Sequence, residues 1–341
     1  MPLFDRQYRL LVGQPSGPAN SKKSPSVGDG REITDLRITF QITKTRAKNP
    51  NTNRVSIYNL AKSTRELLEK PGTRCVLYAG YREDSGPLLI FQGNVTFAWS
   101  RREDTEWVTQ LELGDGANEI RDTMVSLGYS GGIGATTILQ DIANQMGLPL
   151  SITEDAGSRQ WQNGISFHGA ARSALDRVTR GAGMEWSIQN GLLQVVKSGG
   201  TTNRQAIVIS SRSGLIGYPD RERKGAQEVA EVQDKLTQKK KTLTTFTKQY
   251  DGWNVRSLLL PSVLPADRVV LDSDTVKGTM AVVEVRHTGD SHSGDFITDL
   301  KVTDPTTFTQ LDKEVAAGIA KRNESRRKTA EKAAAKAKMA S

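Results

Sequence analysis

The chain has 341 residues, of which 36% are hydrophobic and 25% charged, long enough for two or three cores and ordinary enough to fold as a globular protein. Its single cysteine, Cys75, excludes an intrachain disulfide and fits assembly in a reducing cytoplasm. The net charge of +9 points less to nucleic acid than its size suggests, because residues 311–341 carry nine Lys/Arg against four Asp/Glu and so hold +5 of it.

The N-terminus, Met-Pro-Leu-Phe-Asp-Arg, lacks the basic-then-apolar order of a signal peptide, and no apolar run approaches the roughly 18 residues of a membrane span. The expectation is a protein made in the cytosol and kept there unless it is assembled into something that leaves. Residues 13–31, rich in Gly, Pro, Ser and Lys without a hydrophobic period, read as an extended arm. Leu36-Arg-Ile-Thr-Phe-Gln-Ile42 then places four apolar residues at strict alternation, a half-buried strand. A strand over 54–60 follows, and Ser63-Thr-Arg-Glu66 is a capping-box pattern that predicts a short helix over 64–70, stopped by Pro71-Gly72. Strands are predicted at 74–81 and 88–99; Cys75 lies in the first, as a small buried strand residue rather than a nucleophile.

Between 124 and 197 the period changes. Thr136 or Thr137 is expected to cap a helix whose Ile138, Leu139, Ile142 and Met146 share one face, ended by Gly147 and Pro149. Residues 148–152 are strand-like, and 170–180 form a second amphipathic helix through Ala171, Leu175 and Val178. Asn190-Gly191 between two apolar runs is a strong hairpin-turn signal. This is a small α+β module.

Ser198-Gly-Gly-Thr-Thr202 is a linker by composition, and Ala206-Ile-Val-Ile209 opens another β region. Residues 221–248 combine a helical stripe (Ala226, Val229, Ala230, Gln233, Leu236), the basic knot Lys239-Lys-Lys241 and a strand-like Thr242-Leu-Thr-Thr-Phe-Thr247. Residues 311–340 are Ala/Lys/Glu-rich and helix-prone, with too little apolar bulk to dock firmly.

An internal repeat ties the two β regions together. Trp107-Val-Thr-Gln-Leu-Glu-Leu-Gly-Asp115 and Phe296-Ile-Thr-Asp-Leu-Lys-Val-Thr-Asp304 align without a gap at an offset of 189 residues, each after a strand and a polar turn. Val255 to Pro265, reading Val-Arg-Ser-Leu-Leu-Leu-Pro-Ser-Val-Leu-Pro, then a Val-rich strand, Gly278 and His287-Thr-Gly-Asp290, resembles the C-terminal barrel of baseplate hub proteins of contractile-tailed phages. Ser213-Gly-Leu-Ile-Gly-Tyr-Pro219 is similar to that domain's lead-in strand, and residues 36–60, with Pro50-Asn-Thr-Asn-Arg-Val-Ser-Ile-Tyr-Asn-Leu60, resemble the family's first barrel. The resemblance covers most of 5–308. It departs in about 25 extra residues between Pro219 and Gly252 and in the tail after Asp304.

The clusters with chemical potential read as structural. His287, Asp290, His292 and Asp295 have metal-ligand chemistry, but they stand in a Gly/Ser-rich hairpin tip in which Gly289 supplies backbone freedom and Asp290 bonds local amides. Gly131-Gly-Ile-Gly134 before a helix lacks the Lys-Ser/Thr of a phosphate loop and the third Gly of a dinucleotide fingerprint. His168 has no Ser or Cys partner motif, and nothing singles out a pair of carboxylates for glycoside hydrolysis. No catalytic, cofactor or metal residue is assigned.

The sequence therefore predicts a mainly β chain with an α+β insertion: two tail-tube-like β-barrels flanking a small α+β module, plus a C-terminal helical tail. The predicted units are residues 1–122 (arm and first barrel), 123–200 (α+β module), 201–308 (second barrel, with the basic insertion 221–248) and 309–341 (tail). The resemblance implies a non-enzymatic virion protein assembled in the host cytoplasm, a trimeric, pseudo-sixfold baseplate hub with an axial channel. Its implied partners are the tail tube or tube-terminal protein and the central spike, with the tape-measure and wedge proteins beyond them; no specific nucleic acid and no membrane insertion are expected. A basic nucleic-acid-binding protein and a tail-associated cell-wall hydrolase are the competing readings.

Overall fold

A computed structural model describes residues 5–14, 30–48, 50–153, 159–224, 227–233, 240–246 and 250–304, with the backbone alone over 223–250. In chain order the first part holds β1 (Arg6–Gly13), β2 (Arg31–Ile33), β3 (Ile38–Thr45), β4 (Thr52–Tyr58), α1 (Lys62–Leu68), β5 (Arg74–Tyr81), β6 (Gly86–Glu103) and β7 (Glu106–Gly114). The middle holds α2 (Ala117–Asp122), β8 (Met124–Tyr129), β9 (Ile133–Gly134), α3 (Ala135–Met146), β10 (Leu150–Ile152), β11 (Gln160–Trp161), β12 (Ile165–Ala170), α4 (Ala171–Ala182), β13 (Met184–Gln189) and β14 (Leu192–Lys197). The last part holds β15 (Ile207–Ser210), β16 (Asp220–Lys224), β17 (Gln227–Gln233), β18 (Lys240–Phe246), β19 (Tyr250–Leu258), β20 (Arg268–Asp272), β21 (Lys277–Asp290) and β22 (Phe296–Thr303).

The alternation read in the sequence is met in the sheet. Ile38, Phe40 and Ile42 of β3, Val55 and Ile57 of β4, and Leu111 and Leu113 of β7 are buried on one face, with polar residues between them on the other. The strands do not close on themselves, however, which corrects the expectation of two barrels. They form one open 13-stranded sheet in the order β16-β19-β22-β21-β3-β4-β7-β6-β5-β1-β2, with β20 and β15 branching from β21. Strand β3 joins the two halves, because its residues from Thr39 to Thr45 pair with β21 from Asp290 back to Glu284. A strand's alternation shows which face is buried but not which edge will cover it.

Both repeat hairpins are present, and they match in detail. β6 pairs with β7 and β21 with β22, each with a bulge at the same place: the register slips opposite Glu112 and Leu113 in the first and opposite Lys301 and Val302 in the second. The cross-strand polar pair recurs too, as Ser100 Oγ to Thr109 Oγ1 at 3.0 Å and His287 Nδ1 to Thr298 Oγ1 at 2.9 Å.

The middle part follows the sequence closely. Ile138, Leu139, Ile142 and Met146 of α3 are buried together with Ala171, Leu175 and Val178 of α4, against Trp186, Leu193 and Val195 of the β10-β14-β13 sheet. Gly147 ends α3 in the left-handed conformation at φ 69°, and Asn190 and Gly191 turn the β13–β14 hairpin at φ 52° and 72°.

Several local expectations are corrected. Helix α1 starts at Lys62 with Ala61, which has no side-chain acceptor, at its cap, so Ser63 and Thr64 lie inside the first turn and their hydroxyls accept hydrogen bonds from Arg31 Nη1 at 2.8 and 2.6 Å. Helix α3 likewise starts at Gly134 rather than at a Thr cap, because Gly134 pairs with Gln160 and the Ala135 N–H donates to Arg159 O at 2.9 Å. Over its described residues, Val229, Ala230 and Gln233, the helical stripe in the insertion is instead a strand, β17 paired with β18 over seven residues, while Ala226 and Leu236 lie outside the described residues. Leu215 makes only an isolated bridge to Ser257 instead of belonging to a lead-in strand. Most of the arm over 13–31, the knot residue Lys239 and the whole tail 311–341 lie outside the described residues.

Candidate functional site

The histidines and carboxylates that stand close in sequence from His287 to Asp295 do not converge on one point among the described residues. β21 continues through Asp290, so His287 is a strand residue rather than part of the tip, and it lies fully buried on the core face. Asp290 is engaged by Arg37 Nη2 at 2.7 Å and Nε at 3.2 Å, and its Oδ1 accepts the N–H groups of His292 at 2.9 Å and Ser293 at 3.4 Å. Partial burial works against its charge, but Arg37 and the two amides outweigh it and hold the carboxyl below its usual range. His292 is exposed at the tip beside Ser291 Oγ, 3.1 Å away. Gly289 is needed for close approach rather than for backbone freedom: a Cβ there would stand 2.3 Å from Phe40 Cζ, whereas the positive φ of the turn, 75°, falls on Gly294. Among the described residues no three His, Cys, Asp or Glu side chains are grouped to hold a metal ion.

His168 lies exposed on β12 opposite Ser126. Cys75 is fully buried on β5, where burial pushes the thiol up to about 12 and keeps it protonated. Among the described residues no helix is long and apolar enough to cross a membrane.

Sequence reading missed the polar joint where the α+β module meets the sheet. Lys44, only 1% exposed on β3, donates from Nζ to Asn190 Oδ1 at 2.8 Å. Asp115, at the end of the repeat segment, accepts the Asn190 N–H at 2.8 Å and the Gly191 N–H at 3.3 Å. Burial drives Lys44 down and Asp115 up, each partly offset by the charge of the other. Gln189 Nε2 donates to Thr45 O at 2.8 Å, and Lys48 pairs with Asp176 at 2.6 Å, whose Oδ1 also accepts Trp186 Nε1–H at 2.9 Å. On the other side Gln194 Nε2 donates to Pro265 O at 2.9 Å. The only sequence signals were the Asn-Gly turn and the recurring Asp, neither of which names its partner.

A second joint links the two β halves directly. The Phe296 ring packs edge-on against Phe40 and Tyr81, the Tyr81 hydroxyl donates to Phe296 O at 2.8 Å, and Arg6 reaches Asp290 O at 3.0 Å and Gly294 O at 2.7 Å. Together the joints fix one broad sheet with a polar face on which the charges are paired across strands: Arg54 with Glu112 at 3.7 Å, Arg256 with Asp299 at 2.8 Å, Lys301 with Glu284 at 3.0 Å. Two shallow grooves cross this face at repeat-related positions, one beside Thr39, Gln41, Arg54 and Ser56, the other beside Tyr218, Asp220, Asn254 and Arg256. The arrangement is a wall whose charges are paired from strand to strand.

No protein-family model and no curated protein matches the sequence. Solved structures do match. The 43 kDa tail protein of prophage MuSo2 from Shewanella oneidensis superposes with a TM-score of 0.56 at 9% identity, over 88% of this chain and 99% of that one. The tail protein from Neisseria meningitidis MC58 gives 0.56 at 13% identity, over 90% and 98%. The chain shares its fold with these two tail proteins. A chain of the Francisella PdpA–VgrG complex shares it at a TM-score of 0.54 and 7% identity, with 89% of this chain covering 53% of that one.

Proposed function

We propose that the protein is a structural component of a phage tail baseplate, the hub that joins the tail tube to the central spike. The observation that carries this reading is the pair of hairpins with the same register, bulge and cross-strand polar pair in one sheet. Three copies would present six such hairpins, a pseudo-sixfold ring that a six-fold tube could seat on. The polar face of the sheet would line the axial channel, and its cations, already paired with carboxylates, suit the passage of nucleic acid better than its retention.

In this reading residues 1–122, 123–200, 201–308 and 309–341 act as arm with first β region, joint-forming module, second β region and tail. The tail tube or tube-terminal protein and the spike are the principal partners, and the tape-measure and wedge proteins would meet the tail. The protein would be assembled in the host cytoplasm and reside in the virion baseplate. Light scattering tests the core of it: the expected species is three times the 37.3 kDa chain. A monomer at every concentration, also with the spike protein present, would sink the ring.

A further inference from the structure

Strand β21 is forked. Its residues Lys277 to Ala281 pair with β20, and Glu284 to Asp290 pair with β3, while β22 runs along the other edge. Its repeat partner β6 has the same form with one prong empty. Gly86 to Asn94 pair with β5 and Asn94 to Glu103 with β7, but from Phe97 to Glu103 no described strand lies on the second side. No residue there is buried, and Phe97 is 57% exposed, although the corresponding Val285, His287 and Gly289 of β21 are covered. At the far end of the sheet β16 is an edge strand, paired among the described residues with β19 alone. Seven strand spacings separate the two edges, about 34 Å along the sheet, so β16 cannot reach β6 of its own chain.

The repeat gives the register in which the two edges would meet. Gln41 pairs with Arg54 and Arg54 with Glu112; Asp220 pairs with Asn254 and Asn254 with Lys301; Glu112 and Lys301 are the same repeat position. Asp220 is therefore the counterpart of Gln41. By the same reasoning Arg101, opposite Val108, is the counterpart of Thr288, opposite Ile297. Thr288 pairs with Gln41.

We propose that the open half of β6 receives β16 of a second copy of this chain, antiparallel, with Arg101 opposite Asp220 and Phe97 opposite Lys224. This deepens, and rests on, the ring reading above: the contact inside the chain between β21 and β3 is repeated between chains by β6 and β16. The charges agree, since Arg101, whose described partners within the chain are its near neighbours Glu103 and the Trp99 ring, meets the carboxylate of Asp220, and both Arg101 and Asp220 are exposed in the single chain.

Cysteine pairs in the full chain test the register. With Arg101→Cys and Asp220→Cys together, mild oxidation should link chains to one another, and native Cys75, fully buried, does not compete. Arg101→Cys with Arg221→Cys, one residue out of register and therefore on opposite faces, should stay unlinked. Asp220→Arg alone should weaken self-association about tenfold, and adding Arg101→Asp should restore it. If light scattering shows the trimer while Arg101→Cys/Asp220→Cys stays unlinked and Asp220→Arg associates like the wild type, the pairing is wrong and the ring reading stands. A monomer at every concentration, with no linked chains, overturns both.

Discussion

Burial of His287 on the core face of β21 makes its imidazole a group that folding keeps neutral. Burial is the main cause of its lowered pKa, and the charge of Lys44 adds to it. The unfolded chain exposes this ring and protonates it below about pH 6.5, so the unfolded state binds more protons there and stability falls with acidification. Against a His287→Asn variant, the wild type should lose about 1.4 kcal/mol per pH unit below that point. Urea unfolding of both at a series of pH values measures this, and parallel stability profiles would exclude it. The turn itself is tested at its exposed tip: His292→Asn should fold and assemble normally, and elemental analysis of the wild type should find no stoichiometric zinc. Lys44 is the other residue whose surroundings magnify a substitution. Lys44→Met leaves Asp115 buried without its countercharge and should cost about 3 kcal/mol in chemical denaturation, while adding Asp115→Asn should return part of it.

At the scale of elements, the forks and bulges depend on close backbone approach. At Gly93, where β6 crosses toward β7, an added Cβ would stand 2.4 Å from the backbone oxygen of Gly114. A backbone atom in a paired strand cannot swing away as a side chain can, so Gly93→Ala should lower stability by about 2 kcal/mol or more. Thermal unfolding reads this directly, and an unchanged melting temperature would show that the hairpin tolerates a shift. The insertion shows why element type was harder to read than element position. Ala226, Val229, Ala230 and Gln233 fit a helical period, yet β17 is held as a strand by its pairing with β18. A short run satisfies either period, and a partner strand decides between them.

For the whole molecule, the consequence of one shared sheet is that its two halves should not unfold independently. Strand β3 belongs to the first half by sequence, but it covers the edge of β21 in the second, and Phe296 packs into the apolar cluster of the first half. Fluorescence and far-UV circular dichroism should therefore report coincident unfolding of the two halves. Separated transitions would mean that β3 and β21 part easily. Removing residues 305–341 should leave the fold and thermal stability nearly unchanged while blocking attachment to one baseplate partner. A truncated protein that assembles complete baseplates, or that loses only salt-sensitive DNA binding, would count against the tail as a partner-binding arm.

The sequence by itself determined strands β3 to β7, β13, β14, β21 and β22, the two helices of the middle module, the Asn-Gly turn and the recurrence of the final hairpin, because each rests on local periodicity or on the chemistry of adjacent residues. It also placed Asp290 on local amides, since the N–H groups that it accepts are its neighbours in sequence. Only the tertiary structure decided that the two β regions are one open sheet, that His287 leaves the turn for the core, and that Lys44, Asp115 and Asn190 meet. Those outcomes depend on which strand edges pair and on which polar groups are buried together. Such contacts join residues tens to hundreds of positions apart, and burial and hydrogen bonding there depend on spatial neighbours that a local pattern does not encode.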